Sequence, residues 1–125
     1  MIPVLMPLAD GHEIHPSVLN GILKQSIDTI LVPLSTPPSK NKRISEGVSR
    51  LRLVLEAARL SASHFCMMDR DRLLISPETF EKAIALSKSF NAMVHVHAEG
   101  RNITHMEIGC IIFPRESLSY LAAAL

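Results

Sequence analysis

Short apolar runs alternate along the chain with stretches in which apolar residues recur at helical spacing. The runs predict five strands, at residues 2–8, 30–32, 64–68, 92–97 and 108–113. The helical stretches predict four helices, which begin near Pro16, Ile44, Ser76 and Pro114. The resulting order, β-α-β-α-β-α-β-β-α, is typical of an α/β domain whose mostly parallel sheet is covered by helices on both faces.

Local signals refine three of the helices. His15 and Pro16 suit the start of the first helix. The second helix is predicted from Ile44 to Leu60, and its inward stripe is predicted to be Ile44, Val48, Leu51, Leu55 and Ala58. For the third helix, Ser76 is the predicted cap and Pro77 fits the first turn. Its predicted inward face is Phe80, Ala83, Ile84 and Ser87.

Composition bounds the class of protein. A length of 125 residues is enough for one domain with one core, so residues 1–125 are treated as a single domain. A hydrophobic fraction of 47% excludes a disordered chain. Thirteen basic side chains stand against twelve acidic ones, which gives no electrostatic reason to expect nucleic acid. No apolar run approaches the ~20 residues of a membrane span. The start of the chain lacks the basic region of a signal peptide, and we expect a soluble, cytoplasmic protein.

The two cysteines, Cys66 and Cys110, both lie inside apolar runs. They are expected to be buried free thiols, since no C-x-x-C spacing indicates a metal site and no pattern indicates a disulfide. Trp is absent and Tyr occurs once, so few aromatic rings are available to stack on nucleobases.

The strongest candidate site follows the third predicted strand. In an α/β sheet, ligands bind beyond the carboxyl ends of the strands. If residues 69–71 continue the extended strand, Asp69 and Asp71 point the same way and converge on one point. Two close carboxylates repel each other, and a bound cation offsets this repulsion. Mn²⁺ or Mg²⁺ with bound phosphate fits such oxygen ligands. The alternative is a solvated turn in which Arg70 and Arg72 offset the two acids.

Other polar groups fit either a ligand-binding role or an ordinary structural role. His95 and His97 share a face of a predicted strand and fit either a transition-metal pair or two outward polar positions. His12, Glu13 and His15 form a loose ligand set, although His15 equally suits a helix start. A basic cluster fits either phosphate binding at a helix start or a solvated face, and comprises Lys40, Lys42, Arg43, Arg50 and Arg52.

Four segments carry a family resemblance. They are Ile44–Gly47 at a helix start, Met68–Asp71 after an apolar strand, Ser76–Phe80 at the next helix start, and Ile108–Glu116 at a later strand and turn. In this order they resemble the nucleotide-sugar-binding half of family 2 glycosyltransferases of the GT-A type. The resemblance implies a three-layer, Rossmann-like GT-A fold with a mostly parallel sheet flanked by helices.

The resemblance also implies roles for individual residues. Asp69 and Asp71 match the acidic D-x-D motif that holds a Mn²⁺ or Mg²⁺ ion and the donor diphosphate. Contacts with the nucleotide of a UDP- or GDP-type sugar donor are implied for Pro7, Ala9, Asp10, Arg43 and Asp69.

The chain departs from the family pattern at several places. Val48-Ser49 stands where relatives have Arg-Asn, Arg70 stands inside the acidic motif, and no Asp follows the second strand. The chain also ends where relatives continue into acceptor-binding elements, so a catalytic base has no candidate. Two hypotheses therefore stand: a metal-dependent glycosyltransferase acting on an unknown acceptor, or a non-catalytic GT-A-like module for binding or assembly. Either could form a homo-oligomer through its apolar C-terminal residues Leu118, Leu121 and Leu125.

Overall fold

A computed structural model describes residues 1–9, 13–36, 42–97 and 109–124. The strands are β1 (Ile2–Ala9), β2 (Thr29–Thr36), β3 (His64–Met68), β4 (Val94–His95) and β5 (Cys110–Pro114). The helices are α1 (Pro16–Leu23), α2 (Lys42–Ala57), α3 (Thr79–Phe90) and α4 (Leu118–Ala124), the last preceded by a 3₁₀ turn over Arg115–Ser117. Within these ranges the predicted order of elements is confirmed.

The five strands form one mixed sheet in the order β2-β1-β3-β5-β4. β1 pairs in parallel with both β2 and β3, whereas β5 runs antiparallel to both β3 and β4. The prediction of a mostly parallel sheet is therefore wrong. The last two predicted strands follow each other with no helical pattern between them. A parallel pairing of two such strands would require a long crossover, usually a helix, so an antiparallel pairing results.

Each face of the sheet carries its own hydrophobic cluster, since successive side chains of a strand point to opposite faces. On one face, Val4, Cys66 and Ile112 belong to a cluster with residues of α1 and α3. On the other, Leu5, Phe65 and Phe113 belong to a cluster with residues of α2 and α4. β3 and β5 are buried along all five of their residues. This burial on both faces explains why they read as continuous apolar runs.

The start of α1 is as predicted, and that of α3 lies further along the chain. His15 Nδ1 accepts a hydrogen bond from the Ser17 N–H at 3.1 Å, which confirms its helix-start role. α3 begins at Thr79, three residues beyond Ser76. The Ser76 hydroxyl instead accepts from the Glu78 N–H at 3.2 Å in the turn before the helix. The predicted inward face of α3 is confirmed, with Phe80, Ala83 and Ser87 buried and Ile84 partly so.

Gln25 joins α1 to α3 through a buried side-chain amide. Its Nε2 donates to the Gly21 carbonyl oxygen at 3.1 Å and to the Ser76 carbonyl oxygen at 2.8 Å. Its Oε1 accepts from the Phe80 N–H at 3.0 Å. The cap residue Glu78 makes no side-chain capping bond, so Gln25 satisfies an N-terminal N–H of α3 from outside the helix.

The inward stripe predicted for α2 is wrong. Val48 and Leu55 are 44% and 56% exposed, while Leu53, Val54 and Ala57 are buried. Apolar residues occupy almost every position from 51 to 58, so helical spacing alone fits more than one stripe. Contact with β1 and β2 decides which side of the helix is buried.

β2 continues through Pro33 to Thr36, beyond the predicted strand over residues 30–32. β2 is the outermost strand beside β1, and an edge strand tolerates a residue that lacks an N–H. The cysteines are as predicted: both are free and buried, with their sulfur atoms 3.8 Å apart. Burial, followed by the hydrogen bond to Cys110, raises the pKa of the Cys66 thiol.

Candidate functional site

The strand order reverses direction between β1 and β3. The chain leaves β1 through α1, on one face, to reach β2, and then passes through α2, on the other face, to reach β3. In open α/β sheets, ligands bind in a crevice beyond the carboxyl ends of the strands, at the point where the strand order reverses. Leu5 pairs with Met67, so Pro7 and Asp69 both lie two residues further along, at this crevice.

Asp69 is anchored at the crevice by its backbone and by an ion pair. Its N–H donates to the Gly109 carbonyl oxygen at 2.9 Å, which extends the β3–β5 pairing by one bond. Its Oδ1 lies 3.7 Å from Nη2 of Arg50, a residue of α2. The Asp69 side chain is 31% exposed and the Arg50 side chain 20% exposed. The carboxylate is thus paired within the protein and still open to solvent.

Residues 69–72 form a turn. The Arg72 N–H donates to the Asp69 carbonyl oxygen at 3.2 Å, which closes a four-residue turn directly after β3. The extended segment assumed from the sequence is therefore wrong, and strand alternation does not set the directions of the Asp69 and Asp71 side chains. Asp71 is exposed within the turn. Binding of one cation by both carboxylates stays a prediction.

A second guanidinium group lies beside the Asp69 backbone. A Cβ atom added to Gly109 would stand 2.6 Å from Nη2 and 2.7 Å from Cζ of Arg72. The Arg72 guanidinium therefore lies across Gly109, where only a glycine leaves room for it. The Asp69 carboxylate forms an ion pair with Arg50, and the alternative in which Arg70 and Arg72 offset the two acids stays a prediction.

The donor chemistry of the turn suits a hard divalent cation. Asp69 and Asp71 offer carboxylate oxygens, which Mg²⁺ and Mn²⁺ prefer. Over the ranges that the structure describes, no group of three or more His, Cys, Asp or Glu side chains could hold a metal ion. Mg²⁺ is often bound through one or two carboxylates with substrate phosphates and water as the other ligands. Asp69 and Asp71 provide ligands of this chemical type, and phosphate oxygens would have to complete the shell of a cation bound by them.

The other predicted contact residues belong to the same edge of the sheet where they are described. Pro7 is partly buried near the end of β1, and Ala9 is the last residue of that strand. Arg43 is the second residue of α2, which begins beyond the carboxyl end of β2; its side chain is outside the described part of the structure. Asp10 also lies outside the described residues. Roles in donor binding for all four stay predictions.

The remaining polar candidates do not form a site in the described ranges. His95 is partly buried in β4, and His97 is exposed beyond it. Neither belongs to a group of three or more potential metal ligands among the residues described, and a transition-metal pair stays a prediction. His12 and Lys40 lie outside those residues. Of the basic cluster, Arg50 faces Asp69 and Arg52 is exposed.

A cavity of about 380 Å³ lies at the opposite end of β3 from Asp69. Its lining residues are Arg59, Leu60, Ser61, Ala62, Ser63 and Arg115. β3 has five residues, so the two ends are roughly 16 Å apart. The Arg115 guanidinium donates to the carbonyl oxygens of Ala58, Leu60 and Ala62, just beyond α2, and lies 5.9 Å from the centroid of the Phe65 ring. These contacts make Arg115 a structural residue that satisfies the end of a helix.

Sequence reasoning missed three residues that shape the molecule. Arg50 was noted only within a basic cluster, because the sequence does not show that α2 turns it toward Asp69. Gln25 carries no motif at all. Gly109, immediately before the β5 strand, could have been noted as a position of close approach, since an isolated glycine beside a strand often marks one.

No protein-family model matches the chain, and no curated protein or solved structure is significantly similar to it. Among the described helices, none combines the length and the apolar character needed to cross a membrane.

Proposed function

We propose that the chain binds a nucleotide-diphospho-sugar and transfers its sugar, in a metal-dependent reaction, to an acceptor hydroxyl group. The proposal includes the finer description of the fold as a three-layer, Rossmann-like domain of the GT-A type. The observation that carries the proposal is the position of the Asp69–Arg72 turn. The acidic pair was singled out on sequence grounds. The proposal is supported by the position of Asp69 just beyond the carboxyl end of β3, since α/β sheets bind ligands beyond the carboxyl ends of their strands.

Each residue has a stated part in this proposal. Asp69 and Asp71 hold a Mn²⁺ or Mg²⁺ ion together with the donor diphosphate. Such an ion offsets the negative charge that develops on the leaving diphosphate. Pro7, Ala9 and Asp10, at the end of β1, contact the nucleotide, and Arg43 approaches its phosphates from the start of α2. A cytoplasmic location stays a prediction.

Calorimetric titration of the full chain with UDP and with GDP, each with Mn²⁺ and with a chelator, tests this proposal. We expect one nucleoside diphosphate to bind at least tenfold more tightly with Mn²⁺. Asp69→Asn and Asp71→Asn should remove that difference, since each deletes one carboxylate ligand. Asp28→Asn is the matched control, because Asp28 is an exposed aspartate just before the amino-terminal end of β2, whereas the Asp69 turn follows the carboxyl end of β3. Equal affinities with Mn²⁺ and with chelator for both nucleotides would sink the proposal.

A second candidate is a non-catalytic module of the same fold that serves in binding or assembly. The Arg50–Asp69 ion pair favours it, because the protein itself supplies a positive charge where a cation would be needed. This candidate predicts that the intact sugar nucleotide persists after long incubation with Mn²⁺ and a panel of hydroxyl acceptors. NMR spectra of the sugar's anomeric proton distinguish the two, and sedimentation velocity addresses whether a homo-oligomer forms.

A further inference from the structure

The carboxylate that would receive a cation already has a cationic partner. Arg50 reaches Asp69 from α2, with 3.7 Å between its Nη2 and the Asp69 Oδ1. Arg72, with a second guanidinium, lies against Gly109, whose carbonyl oxygen accepts the Asp69 N–H. The turn and Arg50 together carry two negative charges, on Asp69 and Asp71, and three positive charges, on Arg50, Arg70 and Arg72. The net charge of these groups is thus small before any ligand arrives.

Adding one ligand alone disturbs this balance. A divalent cation at Asp69 brings two positive charges close to the Arg50 guanidinium, and the two compete for the same carboxylate. A diphosphate alone brings negative charge close to Asp69 and Asp71. The two ligands together restore the balance, because the diphosphate offers oxygens both to the cation and to a guanidinium group.

We propose that Arg50 is a positioning residue that exchanges partners: it holds Asp69 while the cation is absent and moves to a phosphate oxygen when cation and nucleoside diphosphate bind together. This inference rests on the proposed function. It deepens it by making binding of the cation and of the diphosphate cooperative through one side chain. Arg50 has the reach for this exchange, since its side chain remains 20% exposed beside a carboxylate that is 31% exposed.

The exchange predicts opposite effects of one substitution. Arg50→Gln removes the competitor for Asp69, so Mn²⁺ alone should bind about fivefold more tightly, the upper end for a partly exposed ion pair. The same variant loses a charge-assisted hydrogen bond to phosphate, so UDP in the presence of Mn²⁺ should bind about tenfold more weakly. A residue that only stabilised the fold would not change two affinities in opposite directions.

The experiment measures free Mn²⁺ by electron paramagnetic resonance and UDP binding by calorimetry, on the full chain and four variants. Arg52→Gln is the matched control, because Arg52 is an exposed arginine two positions along α2 and therefore on another side of the helix. It should stay within twofold of the parent in both measurements. Arg50→Lys keeps the charge without the planar fork and should recover part of the UDP affinity. Asp69→Asn should abolish the gain in Mn²⁺ affinity when combined with Arg50→Gln.

The outcomes separate this inference from the function on which it rests. Failure of the proposed function appears in the parent chain, as UDP and GDP affinities that Mn²⁺ does not change. Failure of the exchange appears only when the variants are compared with the parent chain. The exchange is overturned if Arg50→Gln binds Mn²⁺ and UDP as Arg52→Gln does, or if Arg50→Gln changes both affinities in the same direction. Mn²⁺ binding that appears in Arg50→Gln and not in the parent supports the exchange, and Mn²⁺ binding in neither overturns it.

Discussion

Replacing Gln25 by methionine should destabilise the protein by about 3 kcal/mol, far more than a typical polar substitution. Methionine keeps the length and volume of the side chain and removes all three of its hydrogen bonds. The largest part comes from the Phe80 N–H: the residue is fully buried, and an orphaned buried donor costs about 1–3 kcal/mol. The Gly21 carbonyl oxygen adds about 1 kcal/mol, the usual net value of one hydrogen bond. Ser76 adds little, because its carbonyl oxygen also accepts from the Thr79 hydroxyl at 3.0 Å.

Urea unfolding followed by circular dichroism at 222 nm measures this loss, which corresponds to a fall in Tm of roughly 10 °C for a chain of this size. Ser26→Ala is the matched control. The Ser26 hydroxyl donates to Glu81 at 2.9 Å and so also links the end of α1 to α3, but this bond is exposed. We expect it to contribute less than about 1 kcal/mol. Similar losses for Gln25→Met and Ser26→Ala would refute the role given to the buried amide.

Gln25→Glu tests the direction in which the free energy of unfolding changes with pH. A carboxylate still accepts from the Phe80 N–H, but it cannot donate to the two carbonyl oxygens that receive the Gln25 NH₂ group. The protonated form can donate to one of them, so the folded state holds the proton more tightly than the unfolded state. This contribution to stability is complete below the pKa of the unfolded state and is lost as the pH rises through that of the folded state. The difference in stability from the parent chain should therefore shrink between pH 8 and pH 5.

Three further predictions follow from buried or capping groups. Burial, followed by the charge of Lys88, lowers the pKa of His64 in the folded state. The free energy of unfolding should therefore stay constant above pH 6.5 and fall below it by at most about 1.4 kcal/mol per pH unit. His64→Asn should flatten that slope in urea titrations. Both cysteine thiols are buried, so Ellman's reagent should label neither within minutes in the native state and both in guanidinium chloride; rapid native labelling would contradict their burial. Arg115→Lys should destabilise by about 1–2 kcal/mol, because an ammonium group cannot reproduce the fork that donates to three carbonyl oxygens; Arg59→Gln, an exposed neighbour, should change the free energy of unfolding by less than about 0.5 kcal/mol.

The elements that could be predicted from sequence are those whose signals are local. β1 and β3 read as continuous apolar runs because both faces of each are buried, and His15 with Pro16 marks the start of α1. The orientation of β5 could not be read in the same way. Strand direction depends on the connection to it, and the apolar run itself is the same for a parallel and an antiparallel strand.

The position of Asp69 along the fold could be predicted from the sequence, and its local geometry could not. Asp69 could be placed at the end of a buried strand, and the fold puts it at the crevice. The hydrogen bond from the Arg72 N–H to the Asp69 carbonyl oxygen closes a turn there. Aspartate is common at the first position of a turn, so the sequence fitted both this turn and an extended segment. Arg50 lies nineteen positions earlier in the chain than Asp69, so their ion pair depends on how α2 packs on the sheet. Long-range pairings of this kind follow from tertiary packing and leave no spacing to detect.

Pro33 has a consequence for how copies of the molecule meet. It occupies the middle of one outer strand and cannot contribute an N–H to a further strand, while the opposite outer strand, β4, is only two residues long in the described part of the sheet. Both outer strands of the described sheet are therefore poor templates for the addition of a strand from another chain, which is one route to aggregation. If copies of this chain associate, helix surfaces offer a better route than continuation of the sheet, and concentrated solutions should resist fibril formation.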